Sequence, residues 1–288
     1  MLKKLIKHEL RATRRFFLPA YGVFIALLLV ERLSLLAMPA LEESEGFLSS
    51  VAGFTMAMVT VLTVVGLIAL MVAPAIYNII RFYRNMLGDE GYLMFTLPVS
   101  TGQLIWSKLL TAVFWETITG IVVIVFGGAF LATLDAAATK EVVDVVSQLL
   151  GTVWSAVGGW TIMLAALFVL ALFTQMCANM LTLYTSMSIG QCAGKHRLLA
   201  SAGCYVGINF VTSWLMQIPI FILGFAFGEQ WMEQLDQLLT VTMNNGDYVP
   251  YCQIMSVILI ILLAANFLLG TIHYFLSRYF LRKQLNLA

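Results

Sequence analysis

Apolar residues run along this chain in long blocks separated by short polar stretches, and the length of the blocks is the first signal. Stretches rich enough in apolar residues to cross roughly 30 Å of hydrocarbon at 1.5 Å per residue recur at 16–38, 51–82, 104–134, 151–187, 198–228 and 253–280. Six crossing helices are expected, and several exceed the minimum span, so they must tilt, kink or run on into water. Pro19, Pro74 and Pro219 fall inside the blocks, where a missing amide hydrogen permits a bend. No internal repeat is evident, and residues 1–288 read as a single, all-α transmembrane domain.

Between the blocks the pattern changes. In MLKKLIKHELRATRRFF, Leu2, Leu5, Ile6, Leu10, Thr13 and Phe17 recur at helical spacing with Lys and Arg between them. That is the pattern of an amphipathic helix lying in the membrane interface over residues 1–15, and its basic part is longer than that of a secretory leader. It reads either as a topology anchor on anionic lipid or as a docking element. A second amphipathic segment, 229–252, sets Trp231, Met232, Leu235, Leu238 and Leu239 in one helical stripe against Glu229, Glu233 and Asp236. It should lie on the outer surface, as should DAAATKEVVDVVSQLL between the third and fourth blocks.

Composition sharpens the class. At 61% hydrophobic residues and a mean hydropathy of +0.92 the chain is far outside globular usage. The net charge of +1 hides a polarised distribution. Lys3, Lys4, Lys7, Arg11, Arg14 and Arg15 precede the first block, Arg81, Arg84 and Lys108 flank the second gap, Lys195 and Arg197 the fourth, and Arg278, Arg282 and Lys283 follow the last. The intervening connections carry Glu42, Glu43, Glu45, Asp135, Glu141, Asp144, Glu229, Glu233, Asp236 and Asp247, with Lys140 as their cation. Because cations stay on the cytoplasmic side, both termini are expected inside. Cys177, Cys192, Cys204 and Cys252 are scattered, which suits neither a disulfide framework nor a metal site.

Candidate chemistry is sparse. His8, His196 and His273 lie on separate segments without the i, i+4 pairing of a zinc hydrolase. LEESEGF has the paired glutamates of an intramembrane protease, yet Phe47 stands where that motif needs arginine. In GQCAGKH three residues separate the glycines where a phosphate-binding loop needs four, and His196 follows Lys195 in place of Ser or Thr. ATP hydrolysis by this chain is therefore not expected. Glu116 is an acid deep in the third block, roughly 12 Å along the helix from Lys108. A central charge costs about 2.5–3.5 kcal/mol against roughly 0.3–0.6 gained for each Val, Ile, Leu or Phe, so the helix inserts. Glu116 reads as a hydrogen-bonded structural acid or as a proton-coupling or substrate-binding one. Glu31 and Arg32 read as an outer-leaflet pair.

The richest interruption is NMLGDEGYLMFTLPVSTGQLIWSK, residues 85–108. Gly88 and Gly91 can end the second span. Tyr92, Leu93, Phe95 and Leu97 supply apolar contact area, Pro98 forces an extended break, and Ser100 with Gln103 forms the capping-box pattern that opens the third span. Loops are rarely this apolar without a partner, although Tyr92 and Phe95 could also rest among lipid headgroups.

This stretch resembles the first cytoplasmic loop of permease subunits of type-2 ATP-binding-cassette (ABC) exporters. There a Glu-Gly-Tyr or Glu-x-Gly-Thr-Leu pattern is followed by Leu-Pro-Val-Ser and a Lys opening the next helix. The match runs through Glu90, Gly91, Tyr92, Leu97, Pro98, Val99, Ser100 and Lys108. The resemblance implies six spans with an interfacial N-terminal helix, in the cytoplasmic membrane of a bacterium. It implies that 83–103 is a coupling loop docking into a separate ATPase subunit through Asp89, Glu90, Gly91, Tyr92, Leu93, Phe95, Leu97 and Pro98. ATP and magnesium would belong to that partner, with no cofactor in this chain and no nucleic acid. A second permease chain, identical or related, would complete the path for a hydrophobic or amphipathic drug, lipid or peptide, and 229–252 would cap its exit. Glu116, Asn179 and Asn209 are candidates to line that path, with Asn78, Thr117, Thr119, Gln175 and Gln217, or else these polar groups bond helix to helix. Two other readings stay open: a non-transporting scaffold or sensor, and a proton-coupled carrier using Glu116.

Overall fold

The structure is a computed structural model that describes residues 1–42, 47–96, 98–134, 136–193, 196–245 and 248–285. Among these residues all regular structure is helical: α1 Leu2–Glu42, α2 Phe47–Phe82, a π-helical turn Tyr83–Leu87, α3 Asp89–Phe95, α4 Thr101–Leu134, α5 Ala136–Val157, α6 Gly159–Gly190, α7 Arg197–Asn245 and α8 Val249–Leu285. Among the described residues six stretches are long and apolar enough to cross a membrane: Leu2–Met38, Ser49–Leu87, Thr101–Ala132, Gly159–Gly190, Arg197–Ile218 and Val249–Lys283. Their outer faces suit hydrocarbon, since Leu33, Phe54, Ile124, Val169 and Phe210 are all exposed. Apolar exposure on that scale does not persist in water, and helices of this length satisfy their backbone groups in lipid. The chain is a multi-pass membrane protein.

Three boundaries differ from the hydropathy pattern. The fourth span starts at Gly159 and not at residue 151, because Gly158 adopts φ 51°, ψ −118° and separates α5 from α6. That backbone conformation is open to glycine and strained for any residue with a Cβ. Residues 1–15 form no separate element, since α1 is continuous from Leu2 to Glu42. Its length of roughly 60 Å is twice a hydrocarbon core. α7 likewise continues without a break to Asn245, so the segment expected on the outer surface begins as the far part of one helix. The side chains of Glu229, Trp231, Met232, Leu235, Asp236, Leu238 and Leu239 lie outside what is described, as do Glu43, Glu45, Asp135, Lys195 and Asp247 entirely.

The chain divides into two compact units, one of Met1–Arg84 with Gln103–Val145, the other of Asn85–Gly102 with Val146–Ala288. In the first, α1 turns Glu9, Thr13, Phe17, Tyr21, Phe24 and Glu31 inward, steps of three, four and seven that keep one face of a helix. Phe17 stacks on Trp115 of α4 with ring centroids 4.6 Å apart and planes within 5°, and Phe16 stacks on Tyr77 of α2 at 4.3 Å. Leu70 and Phe24 close this cluster. Hydrogen bonds tie the same faces together: Trp115 Nε1 donates to Thr13 Oγ1 at 2.6 Å, and the Tyr21 and Thr119 hydroxyls meet at 2.7 Å.

In the second unit α6 packs on α8 through small residues, which let two backbones approach where lipid offers no hydrophobic drive. Gly270 lies against Ala178 and Leu181. The Thr185 hydroxyl sits 2.9 Å from the His273 carbonyl oxygen and 2.8 Å from the Ser277 hydroxyl, so one donates while the other accepts.

Candidate functional site

Between Phe82 and Thr101 the second span gives way to a compact hairpin. α2 loosens into the π-turn, a wider and rarer coil that can kink a helix, and stops at Gly88, whose backbone is extended (φ −94°, ψ −170°). Gly88 stands at the end of the span, but with angles open to any residue and not the left-handed ones of a glycine cap. Gly91 does something else. It lies inside α3, donates its N–H to the Gly88 carbonyl at 2.8 Å, and is buried. A Cβ on Gly91 would stand 2.9 Å from the Met86 carbonyl oxygen and 3.1 Å from its carbon. Glycine is what allows α3 to fold back on the π-turn.

With Gly91 and Met86 inside, other side chains of α3 face outward. Glu90 is exposed, Leu93 is 68% exposed and Phe95 half-buried. The Thr96 hydroxyl closes the short helix on the Leu93 carbonyl at 2.8 Å. Pro98 is exposed, and α4 opens at Thr101, directly after Ser100. Of the residues expected to dock, Glu90, Leu93, Phe95 and Pro98 thus have available surface, whereas Gly91 is a packing residue. The side chains of Asp89 and Tyr92, and Leu97 as a whole, lie outside what is described.

The helices on either side of this hairpin are fastened to α1 by a cluster the sequence did not announce. Arg81 donates from Nε at 2.9 Å and from its terminal nitrogen at 2.6 Å to Glu9 Oε2. Lys108 donates from Nζ to Glu9 Oε1 at 2.9 Å. Glu9 and Lys108 are both buried. Two cations on one carboxylate keep the charges hydrogen-bonded away from water, the condition under which buried ions are tolerated. Arg81 and Lys108 look from sequence like topology markers alone. Glu9 carries one legible signal: it is an acid one turn from Leu5 and from Thr13, on the apolar stripe of a basic helix.

The candidate path residues separate. Glu116 is half-buried on α4 and borders a cavity of about 230 Å³ with Met71, Pro74, Ala75, Thr119, Gly120 and Val123. Buried Asn78 stands beside its carboxylate. Asn179 and Asn209 belong to the other unit and bond within their own helices, Asn179 Oδ1 accepting from Gln175 Nε2 at 2.9 Å and Asn209 Nδ2 donating to the Tyr205 carbonyl at 2.8 Å. Glu31 and Arg32 do not form the expected pair: Glu31 is fully buried and accepts from Thr60 Oγ1 at 3.2 Å, while Arg32 is exposed. Successive residues on a helix point about 100° apart.

No protein-family model matches the chain, and no curated protein or solved structure matches it either.

Proposed function

We propose that this chain is the membrane permease subunit of an ABC exporter, moving a hydrophobic or amphipathic substrate outward and powered by a separate ATPase that holds ATP and magnesium. Two such chains would enclose the path. The observation that carries this reading is the hairpin around α3. It combines the Glu90, Gly91 and Tyr92 sequence and the Pro98, Val99, Ser100 run with a short helix, folded back by Gly91, that keeps Glu90 and Leu93 on its surface.

A coupling element must do two things: present a surface to the motor and pass on its displacement. The surface is Glu90, Leu93, Phe95 and Pro98. Transmission needs stems that do not yield, and Arg81 and Lys108, which bracket the hairpin in sequence, are both bound to Glu9. For an ATPase to shift the permease between two states it must bind them with different affinity, so a loop that is merely sticky would not suffice.

The test is to extract the C-terminally tagged chain from its native membrane in mild detergent and identify what accompanies it. A stoichiometric nucleotide-binding protein, lost on changing Tyr92 and Phe95, supports the reading. Absence of any such protein from an intact preparation refutes it. In the reconstituted complex, Glu90→Ala with Tyr92→Ala abolishes transport-linked ATPase stimulation while the protein stays in the membrane.

A further inference from the structure

We infer that the cavity beside Glu116 binds the protonated amine head of a cationic amphiphile, whose apolar tail stays outside along the helix surface. The cavity forms where the stripe Met71, Pro74, Ala75 of α2 meets the stripe Glu116, Thr119, Gly120, Val123 of α4. Both sets follow the three- and four-residue spacing of one helix face. Met71 is 61% exposed and Gly120 is exposed, so the cavity opens at that rim.

Charge selects the ligand. Among the described residues no cation forms an ion pair with Glu116, in contrast to Glu9 with its two. Asn78 stands beside the carboxyl group, but an amide carries no charge and supplies no counter-charge to it. The Thr119 hydroxyl donates to the Trp115 carbonyl at 2.8 Å and pairs with the Tyr21 hydroxyl, so what it can still offer a ligand is an oxygen lone pair. An approaching ammonium group favours the ionised carboxylate, and the site then presents acceptors and negative charge to it, which suits a donor-rich cation better than an anion.

Size and walls select further. About 230 Å³ falls below the roughly 300–1,000 Å³ of pockets that enclose a whole drug-sized molecule, and fits a head group. A bare metal ion would need about six oxygen ligands, and the walls of Met71, Pro74, Ala75 and Val123 do not supply them. An alkylammonium needs one counter-charge and apolar surroundings for its methylenes. Such a molecule concentrates in the bilayer and meets Glu116 where low dielectric strengthens the ion pair. That this ligand is cargo rests on the permease reading; the binding itself does not.

The experiment uses the full chain in nanodiscs of zwitterionic lipid without any ATPase, and radiolabelled dodecylamine, a cation at neutral pH, with empty discs as background. Saturable binding is expected, weakened at least about tenfold in Glu116→Gln, the loss of one charge pair. Gly120→Leu is expected to block it with Glu116 intact, since Gly120 lines the cavity and nothing lies within 4 Å of a Cβ there, so the larger side chain is accommodated without disturbing the fold. Uncharged dodecanol should not compete. Binding unchanged in either variant, competition by dodecanol, or no saturable binding would overturn the assignment. Because no ATPase is present, these outcomes leave the permease reading untouched, and failure to recover an ATPase would leave the amine site standing.

Discussion

Lys108 and Glu9, 99 residues apart in the chain, meet as a buried ion pair with Nζ 2.9 Å from Oε1. Arg81 holds the other oxygen at 2.6 Å, so one carboxylate joins α1, α2 and α4. Buried pairs contribute little net stability while complete, because the attraction is offset by desolvation; removing one partner is what costs. The cluster therefore fixes register among three helices more than it adds to stability.

Glu9→Ala is expected to destabilise the protein by about 3–5 kcal/mol, since Arg81 and Lys108 both lose the carboxylate. Glu9→Gln should fall between, as the amide oxygen still accepts a hydrogen bond. Thermal unfolding in detergent checks this. An unaltered Tm for Glu9→Ala would mean that the cations are solvated equally well without it.

The positions of the six spans are legible because about 20 apolar residues leave few alternatives to crossing a bilayer. Hydropathy marks where lipid ends but not where a helix ends, which is why α1 and α7 run through segments that read as separate pieces. Gly158 interrupts an apolar block because of its own backbone angles; hydropathy does not register that, and the Gly158-Gly159 pair is its one sequence signal. Gly88 stands where its span ends, so the position is readable, although its extended backbone is open to any residue. Gly91 is set by the approach of the Met86 carbonyl, a folded-state fact. Glu9 is harder still, its partners lying 72 and 99 residues away.

Trp115 and Thr13 should be energetically coupled. Trp115→Phe keeps a ring to stack on Phe17 and removes the 2.6 Å bond to Thr13, while Thr13 retains its own bond to the Glu9 carbonyl at 2.8 Å. The expected loss is about 0.5–1.5 kcal/mol. A double-mutant cycle with Thr13→Val should return a coupling of similar size, and strict additivity would show that the bond contributes nothing.

Gly158→Ala should cost roughly 1–3 kcal/mol, because a Cβ is strained at φ 51°. Gly159→Ala, one residue on, opens α6 with ordinary helical backbone and open space around its Cβ. It should be neutral or slightly stabilising. Equal Tm values for the two variants would contradict the α5–α6 break.

Gly91→Ala separates the geometry of the hairpin from its proposed use. The added Cβ meets backbone atoms of Met86 at 2.9 and 3.1 Å, and backbone cannot swing aside as a flexible side chain can. α3 must shift off the π-turn, at a local cost of roughly 1–3 kcal/mol. The buried cluster of Phe17, Tyr21, Phe24, Leu70 and Trp115 belongs to the other unit, so most of the protein keeps its packing. Hydrogen exchange should rise across residues 83–96 and stay unchanged in α1. If exchange does not rise, the close approach of Gly91 to Met86 is wrong. If it rises while the co-purified ATPase is undiminished, α3 is folded as described but is not the docking element, and the permease reading loses the observation that carries it.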